Sequence, residues 1–177
     1  MRLVVVLAAI MAPSIALAAG GMDPTPPKPT ETTQQCQNGT VWDEKSGSCV
    51  APQESSLDDD TLYGAAREFA YAGQYENAQR ALRAMSDQTE DRVLTYLGFT
   101  SRKMGNVQAG MTYYAAALEK NPDNHLARSY MGQAYVQAGQ LDLARAQLTE
   151  IRARGGRGTW AEVSLRLALE SGRGYAY

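Results

Sequence analysis

The chain has 177 residues, 44% of them hydrophobic, with 17 lysines and arginines against 19 aspartates and glutamates. So close a balance of charge argues against a nucleic-acid partner held by bulk electrostatics. The length leaves room for one modest domain with tails.

Residues 1–18 read as an address. They carry one basic residue, an apolar run from Leu3 to Met11, a break at Pro13 and the Ala16-Leu17-Ala18 ending of a signal-peptidase site. Cleavage is expected after Ala18, which makes the protein exported and places it in the periplasm. The residue after that point is Ala19 and not cysteine, so no lipid attachment is expected there. The apolar run is shorter than the roughly 20 residues a span requires, and no later segment is long and apolar enough, so no membrane span is expected in the mature protein.

Residues 19–35 combine proline, threonine and glutamine with almost no bulky apolar side chain. Such a segment buries too little surface to offset chain entropy and is expected to be a disordered linker. It runs into Cys36 and Cys49, the chain's two cysteines. In an exported protein a closely spaced even pair implies a disulfide, here closing residues 36–50. Thr40-Val41-Trp42, the turn formers Asp43 to Gly47, and Ser48-Cys49-Val50 predict a short hairpin inside it. Closing a loop of this size stabilises by about 3 kcal/mol in the chain-entropy picture. Residues 51–57 read as a second linker.

The pattern Cys36-x-x-Gly39-x-Val41-Trp42-Asp43, then Gly47-x-Cys49-Val50, resembles the small cysteine loops of peritrophin-type chitin-binding modules. It spans about fifteen residues and lacks the other cysteines of the full module. The resemblance implies that Trp42 is the candidate contact for a sugar face, and a loop that binds cell-wall glycan, tested as peptidoglycan, stands as an alternative role. The competing reading has Trp42 packing over the disulfide.

From residue 58 the chain repeats itself. Gly73, Gly105 and Gly139 lie 32 and 34 residues apart, and a small residue (Ala66, Gly98, Gly132) precedes each by seven. Another (Ala78, Gly110, Ala144) follows each by five, with Leu82, Tyr114 and Leu148 one helical turn further on the same face. A period in this range signals stacked helical pairs. Small residues at matching heights let two antiparallel helices approach closely, and the larger side chains fill what they leave.

Over roughly Asp59 to Glu170 this resembles the tetratricopeptide repeat family. The middle unit carries Leu94-x2-Leu97-Gly98-x2-Ser101, Gly110-x3-Tyr114, Ala117 and Pro122; the third carries Arg128-x2-Met131-Gly132-x2-Tyr135 and Ala144-x3-Leu148. The first is looser, with Leu62-x2-Ala65-Ala66-x2-Phe69 and Ala78-x3-Leu82. Ser101 in place of an aromatic and Arg128 in place of an apolar residue depart from the pattern. The resemblance implies an all-α, right-handed solenoid of about three helix pairs over residues 58–171. Thr159 and Glu162 form a capping-box pattern at the head of a last helix, which is expected to cover the apolar end of the stack. Residues 172–177 are expected to be a flexible tail, and Tyr175 and Tyr177 on it raise self-assembly as an alternative role.

In arrays of this family the first helices of successive pairs line a concave groove for peptides or partner proteins. Helical spacing puts Asp60, Tyr63, Arg67 and Tyr71 on the non-packing face of the first unit. The same register gives Arg92, Thr95, Phe99, Arg102 and Lys103 in the second, and Leu126, Ser129, Gln133, Val136 and Gln137 in the third. Cations beside rings suit an extended segment with an acidic group or a free carboxylate. The lysine-and-asparagine pattern of the carboxylate clamp known in chaperone-binding members is not matched on these faces.

Catalysis finds little support. The lone His125 stands at a helix entry, both cysteines are committed to the disulfide, and Asp58 to Asp60 suit the first turn of a helix. No nucleophile elbow, phosphate loop or zinc motif occurs. No catalytic residue, cofactor or metal is expected.

Overall fold

The computed structural model describes residues 26–54 and 57–173. The expected signal peptide, residues 19–25 of the first linker and the tyrosines of the tail lie outside them. Seven long helices follow a small N-terminal module. The module holds α1 (Glu31–Gln34), an antiparallel hairpin of β1 (Val41–Asp43) and β2 (Ser48–Val50), and a 3-10 turn at Pro52–Glu54. Then come α2 (Asp59–Tyr71), α3 (Tyr75–Ala84), α4 (Asp91–Lys103), α5 (Val107–Lys120), α6 (His125–Gln137), α7 (Leu141–Ala153) and α8 (Trp160–Ser171). This is the all-α repeat expected: three helix pairs and a closing helix.

The recurring glycine has one backbone job. Gly73, Gly105 and Gly139 all take positive φ, between 72° and 91°. In each case the amide after the glycine reaches back to the carbonyl five residues earlier: Gln74 to Phe69, Asn106 to Ser101, Gln140 to Tyr135. The glycine's own amide bonds Ala70, Arg102 or Val136. That is a Schellman cap, which needs a left-handed residue at its centre.

Close approach is the second device. A Cβ added to Gly98 would lie 2.6 Å from the Tyr114 ring and 3.0 Å from the Gly110 carbonyl, so α4 and α5 meet backbone to backbone. Gly132 uses its bareness differently: a Cβ there would strike Leu165 of α8 at 2.6 Å. In the third pair the small residue therefore makes room for the closing helix. Leu82, Tyr114 and Leu148 are buried as expected.

Helix starts are held by side chains. Asp58, Asn106, Asn124 and Thr159 each accept an amide of the first turn. The capping box at α8 is only half formed, because the Glu162 carboxylate turns away to Arg152 at 2.6 Å. Asn124 does more than cap. It is fully buried and donates to Asp91 Oδ2 at 3.0 Å and Thr95 Oγ1 at 2.8 Å, pinning the third pair to the second.

In the N-terminal module, part of the segment expected to be a disordered linker is helical, and the disulfide-closed loop packs on the first helix pair. The Cys36–Cys49 disulfide is present, and Val41 is fully buried within the core of the first helix pair. Thr30–Gln35, expected to be extended, instead cap and form α1. The cause is Glu68 on α2: its buried carboxylate accepts the amides and hydroxyls of both Thr30 and Thr33. Arg80 of α3 donates to the Asn38 carbonyl at 3.1 Å, and Gln53 donates to the Arg80 carbonyl. The module is thus the first layer of the stack, as α8 is the last.

Candidate functional site

The faces read as a groove are lined by rings that touch across repeats. Tyr63 meets Tyr96 edge-on at 5.6 Å between centroids, Tyr96 meets Tyr130 at 6.1 Å, and Phe99 packs on Tyr130 at 4.7 Å. Tyr71 stacks on Phe99 at 6.4 Å, and its hydroxyl lies 3.2 Å from that of Tyr130. Edge-to-face and offset pairs at such separations add to their area burial.

This ladder fills the space that helical spacing alone assigns to an open face. Phe99 is 1% exposed, and Tyr63, Arg67, Thr95, Ser129 and Val136 are likewise buried. The physical reason is proximity: α2, α4 and α6 lie close enough for each ring to seal against its neighbour. Gln133 is fully buried and donates to Ser129 and toward Ser164, so it belongs to the α6–α8 interface. Arg92 sits over the Tyr63 ring at 4.8 Å with Asp60 and Glu90 each 2.6 Å away. Of the residues singled out from the sequence, Tyr71, Phe99, Arg102, Lys103 and Gln137 gather at one place, where α2, α4 and α6 end.

Tyr75, at the start of α3, joins them. Tyr71, Tyr75, Phe99 and Lys103 line an open cleft of about 240 Å³. Lys103 Nζ stands 5.5 Å from the Phe99 centroid, and Arg102 Cζ lies 5.9 Å from the same ring. Arg102 is 6% exposed; its Nε faces the Tyr114 hydroxyl at 3.5 Å and its Nη1 donates to the exposed Gln137 Oε1 at 2.7 Å. Its Nη2 is buried with no hydrogen-bond partner. Partial burial, then the Arg102 guanidinium beside it, pull the Lys103 ammonium below its ordinary range. Burial pushes the Tyr63 and Tyr114 hydroxyls up, so these rings stay neutral members of the wall.

A larger cleft, about 460 Å³, opens between the module and α2 and is lined by Trp42, Lys45, Asp58, Thr61 and Gly64 among others. Its depth comes from the repeat register. Gly64, Tyr96 and Tyr130 each stand nine residues before a turn glycine, and the first unit has no ring to fill that position. Trp42 is half-buried and stands opposite Cys49 in the hairpin.

Sequence reasoning passed over Tyr75, Tyr96, Tyr130 and Glu68. Tyr96 and Tyr130 were within reach, since they are 34 residues apart in the repeat register. Tyr75 shares its register with Val107 and Leu141, which are apolar but not aromatic, and Glu68 shares its register with Thr100 and Ala134, so neither is repeated in kind. Among the described residues no group of three or more His, Cys, Asp or Glu is placed to hold a metal ion. No described helix is long and apolar enough to cross a membrane.

Stacked antiparallel helix pairs with a covering layer at each end define an α-helical repeat array. The family model described as tetratricopeptide repeat matches residues 101–163, from the end of α4 into α8. Residues 101–163 are thus similar to tetratricopeptide repeats, a fold that serves protein–protein interaction, and the helix pairs on either side continue the same arrangement. No curated protein and no solved structure matches it.

Proposed function

We propose that the array is a non-catalytic adaptor, exported and periplasmic, that holds an extended peptide by an acidic side chain or free carboxylate at the Tyr71–Phe99–Lys103 cleft. The observation that carries this is the unpaired charge. Among the described residues, six other arginines of the array, such as Arg92 and Arg152, meet a carboxylate, and Arg80, Arg83 and Arg157, which meet none, are exposed to water. The buried Arg102 and half-buried Lys103, by contrast, have none within ion-pair distance among the described residues. Two cations held side by side and partly dehydrated favour an incoming anion, and a guanidinium binds carboxylate through two parallel donors. Gln137 Oε1 occupies one of those donors on an exposed, movable side chain. A ligand carboxylate displacing it would engage Nη1 beside the Lys103 ammonium while an apolar side chain rests on the half-buried Tyr71 and Tyr75 at the cleft wall.

N-acetyl-leucyl-phenylalanine with a free carboxylate, titrated against its amide, tests the reading. The carboxylate should bind at least about tenfold tighter, and Lys103→Gln should shrink that gap. Equal binding of the two removes the carboxylate, and no binding of either at millimolar concentration removes the cleft.

A second reading is a glycan contact at Trp42, favoured by its place on the wall of the N-terminal cleft. Sedimentation with insoluble peptidoglycan that Trp42→Ala abolishes would support it, and sedimentation independent of Trp42 would count against it.

A further inference from the structure

The N-terminal module is covalently closed by a bond that solvent reaches, and the first helix pair depends on that module for its outer wall. We propose that thiol–disulfide exchange at Cys36–Cys49 is a switch that uncaps the first helix pair while leaving the rest of the array folded.

The module has few means of holding itself together. Its helix is four residues long and its strands three each, below the lengths that persist alone in water. Its contribution to the core is Val41. Docking draws on both α1 and the chain after it, with Thr30 and Thr33 on Glu68, Asn38 on Arg80 and Gln53 on the Arg80 carbonyl. Inside the module the Thr32 hydroxyl receives the Trp42 amide at 3.2 Å and ties α1 to the hairpin. The disulfide makes the same tie covalently, joining Cys36, just beyond α1, to Cys49 on β2.

Exposure sets the direction of attack. Cys49 is exposed and Cys36 half-buried. A thiolate of a dithiol reductant attacks the Cys49 sulfur, the S–S bond breaks, and Cys36 leaves as a thiolate that takes a proton from water. The reductant's second thiolate then attacks its own sulfur in the mixed disulfide, releasing Cys49 as a thiol and the reductant as a cyclic disulfide. Two electrons pass to the cysteines, and the reductant supplies both.

With the bond open, Val41 withdraws from the core and the face of α2 at Leu62, Ala65 and Glu68 meets water. Glu68, 6% exposed in the closed state, loses all four donors. Nothing on α2 compensates, because Gly64 stands where the later units carry Tyr96 and Tyr130. From α4 onward each helix keeps its neighbours, with Tyr130 on Phe99 and α8 over Gly132. Loosening therefore stops near α4.

Native-state hydrogen exchange followed by mass spectrometry tests this on the full chain. One sample stays oxidised; the other is reduced with dithiothreitol under native conditions and its freed thiols are alkylated. Amides of α2 and α3 should exchange at least tenfold faster in the reduced sample, and those of α6 to α8 should stay within twofold. Unchanged α2 and α3 after complete reduction would overturn the proposal. So would loss of protection along the whole chain, or a disulfide that dithiothreitol opens only once the protein is denatured. The oxidised Glu68→Ala variant supplies a second measurement: α1 should lose protection with the disulfide intact, and full retention there would remove Glu68 from the docking scheme.

Discussion

Half-burial and the adjacent Arg102 lower the Lys103 pKa, so its charged form is disfavoured in the folded state relative to the unfolded one. The sign follows directly. The folded pKa lies under the unfolded value of roughly 10.4, so the penalty is fully present below the folded pKa and fades as pH rises toward the unfolded one. Lys103→Gln should therefore raise the melting temperature at pH 7, and this advantage over the parent chain should vanish near pH 11; an equal gap at both pH values would refute the cause. A stability cost retained on an exposed-facing cation beside aromatic rings fits a group kept for binding. Glycines make a parallel case from packing. Gly64 lies inside α2 with nothing within 4 Å of the point where a side-chain methyl would stand, whereas Gly98 has the Tyr114 ring at 2.6 Å from that point. Gly64→Ala should stabilise by about 0.5–1 kcal/mol through helix propensity. Gly98→Ala should destabilise by about 1–3 kcal/mol through overpacking, and thermal unfolding of the two variants should separate in opposite directions.

At the scale of elements, the repeat is a capping pattern as much as a hydrophobic one. Asn124 illustrates it: one side chain caps α6 through the Ala127 amide at 2.7 Å and ties that helix to Asp91 and Thr95 of α4. Asn124→Ala removes a cap worth about 1 kcal/mol and two further hydrogen bonds worth about 0.5–1.5 kcal/mol each, although Asp91 keeps Asn121 and the Thr95 hydroxyl keeps the Asp91 carbonyl. Urea unfolding should show a loss of roughly 2–4 kcal/mol, and a loss confined to the cap value would mean that the ties to α4 are weak. What the sequence made legible follows the same division. Helix pairs, turn glycines and the closing helix could be read because each rests on local chemistry that recurs every 32 or 34 residues. Docking of the module could not, since Glu68 meets Thr30 and Thr33 across more than thirty residues of chain and nothing in the repeat register marks it. The groove face was half legible. Spacing identified Tyr71, Phe99, Arg102, Lys103 and Gln137, but period alone cannot tell a ring open to solvent from one sealed against the next helix, and Phe99 proved to be the latter.

Across the whole molecule, the ladder from Tyr63 to Tyr130 couples units that a solenoid would otherwise join only to their nearest neighbours. Tyr130 is its crossing point: fully buried, it touches Tyr96, Phe99 and Tyr114 and places its hydroxyl against that of Tyr71 two units away. Ahead of it lie the module and the first two pairs; behind it lie the third pair and α8, whose own cluster surrounds Leu165 and Ile151. The two clusters share Tyr135 at their border. Tyr130→Ala should cost about 3–5 kcal/mol, the range for emptying a large buried aromatic site, and should also divide the array. The chain's two tryptophans make the division observable, because Trp42 sits in the N-terminal module and Trp160 opens α8. In Trp42→Phe and Trp160→Phe backgrounds, each remaining indole reports one end of the stack during urea unfolding. The parent chain should give coincident transitions from both. With Tyr130→Ala the two should separate, each with a shallower slope, because a smaller cooperative unit exposes less surface when it unfolds. Coincident transitions at a lower midpoint would instead mean that backbone packing between α4, α5 and α6 carries the coupling and that the ladder contributes stability alone.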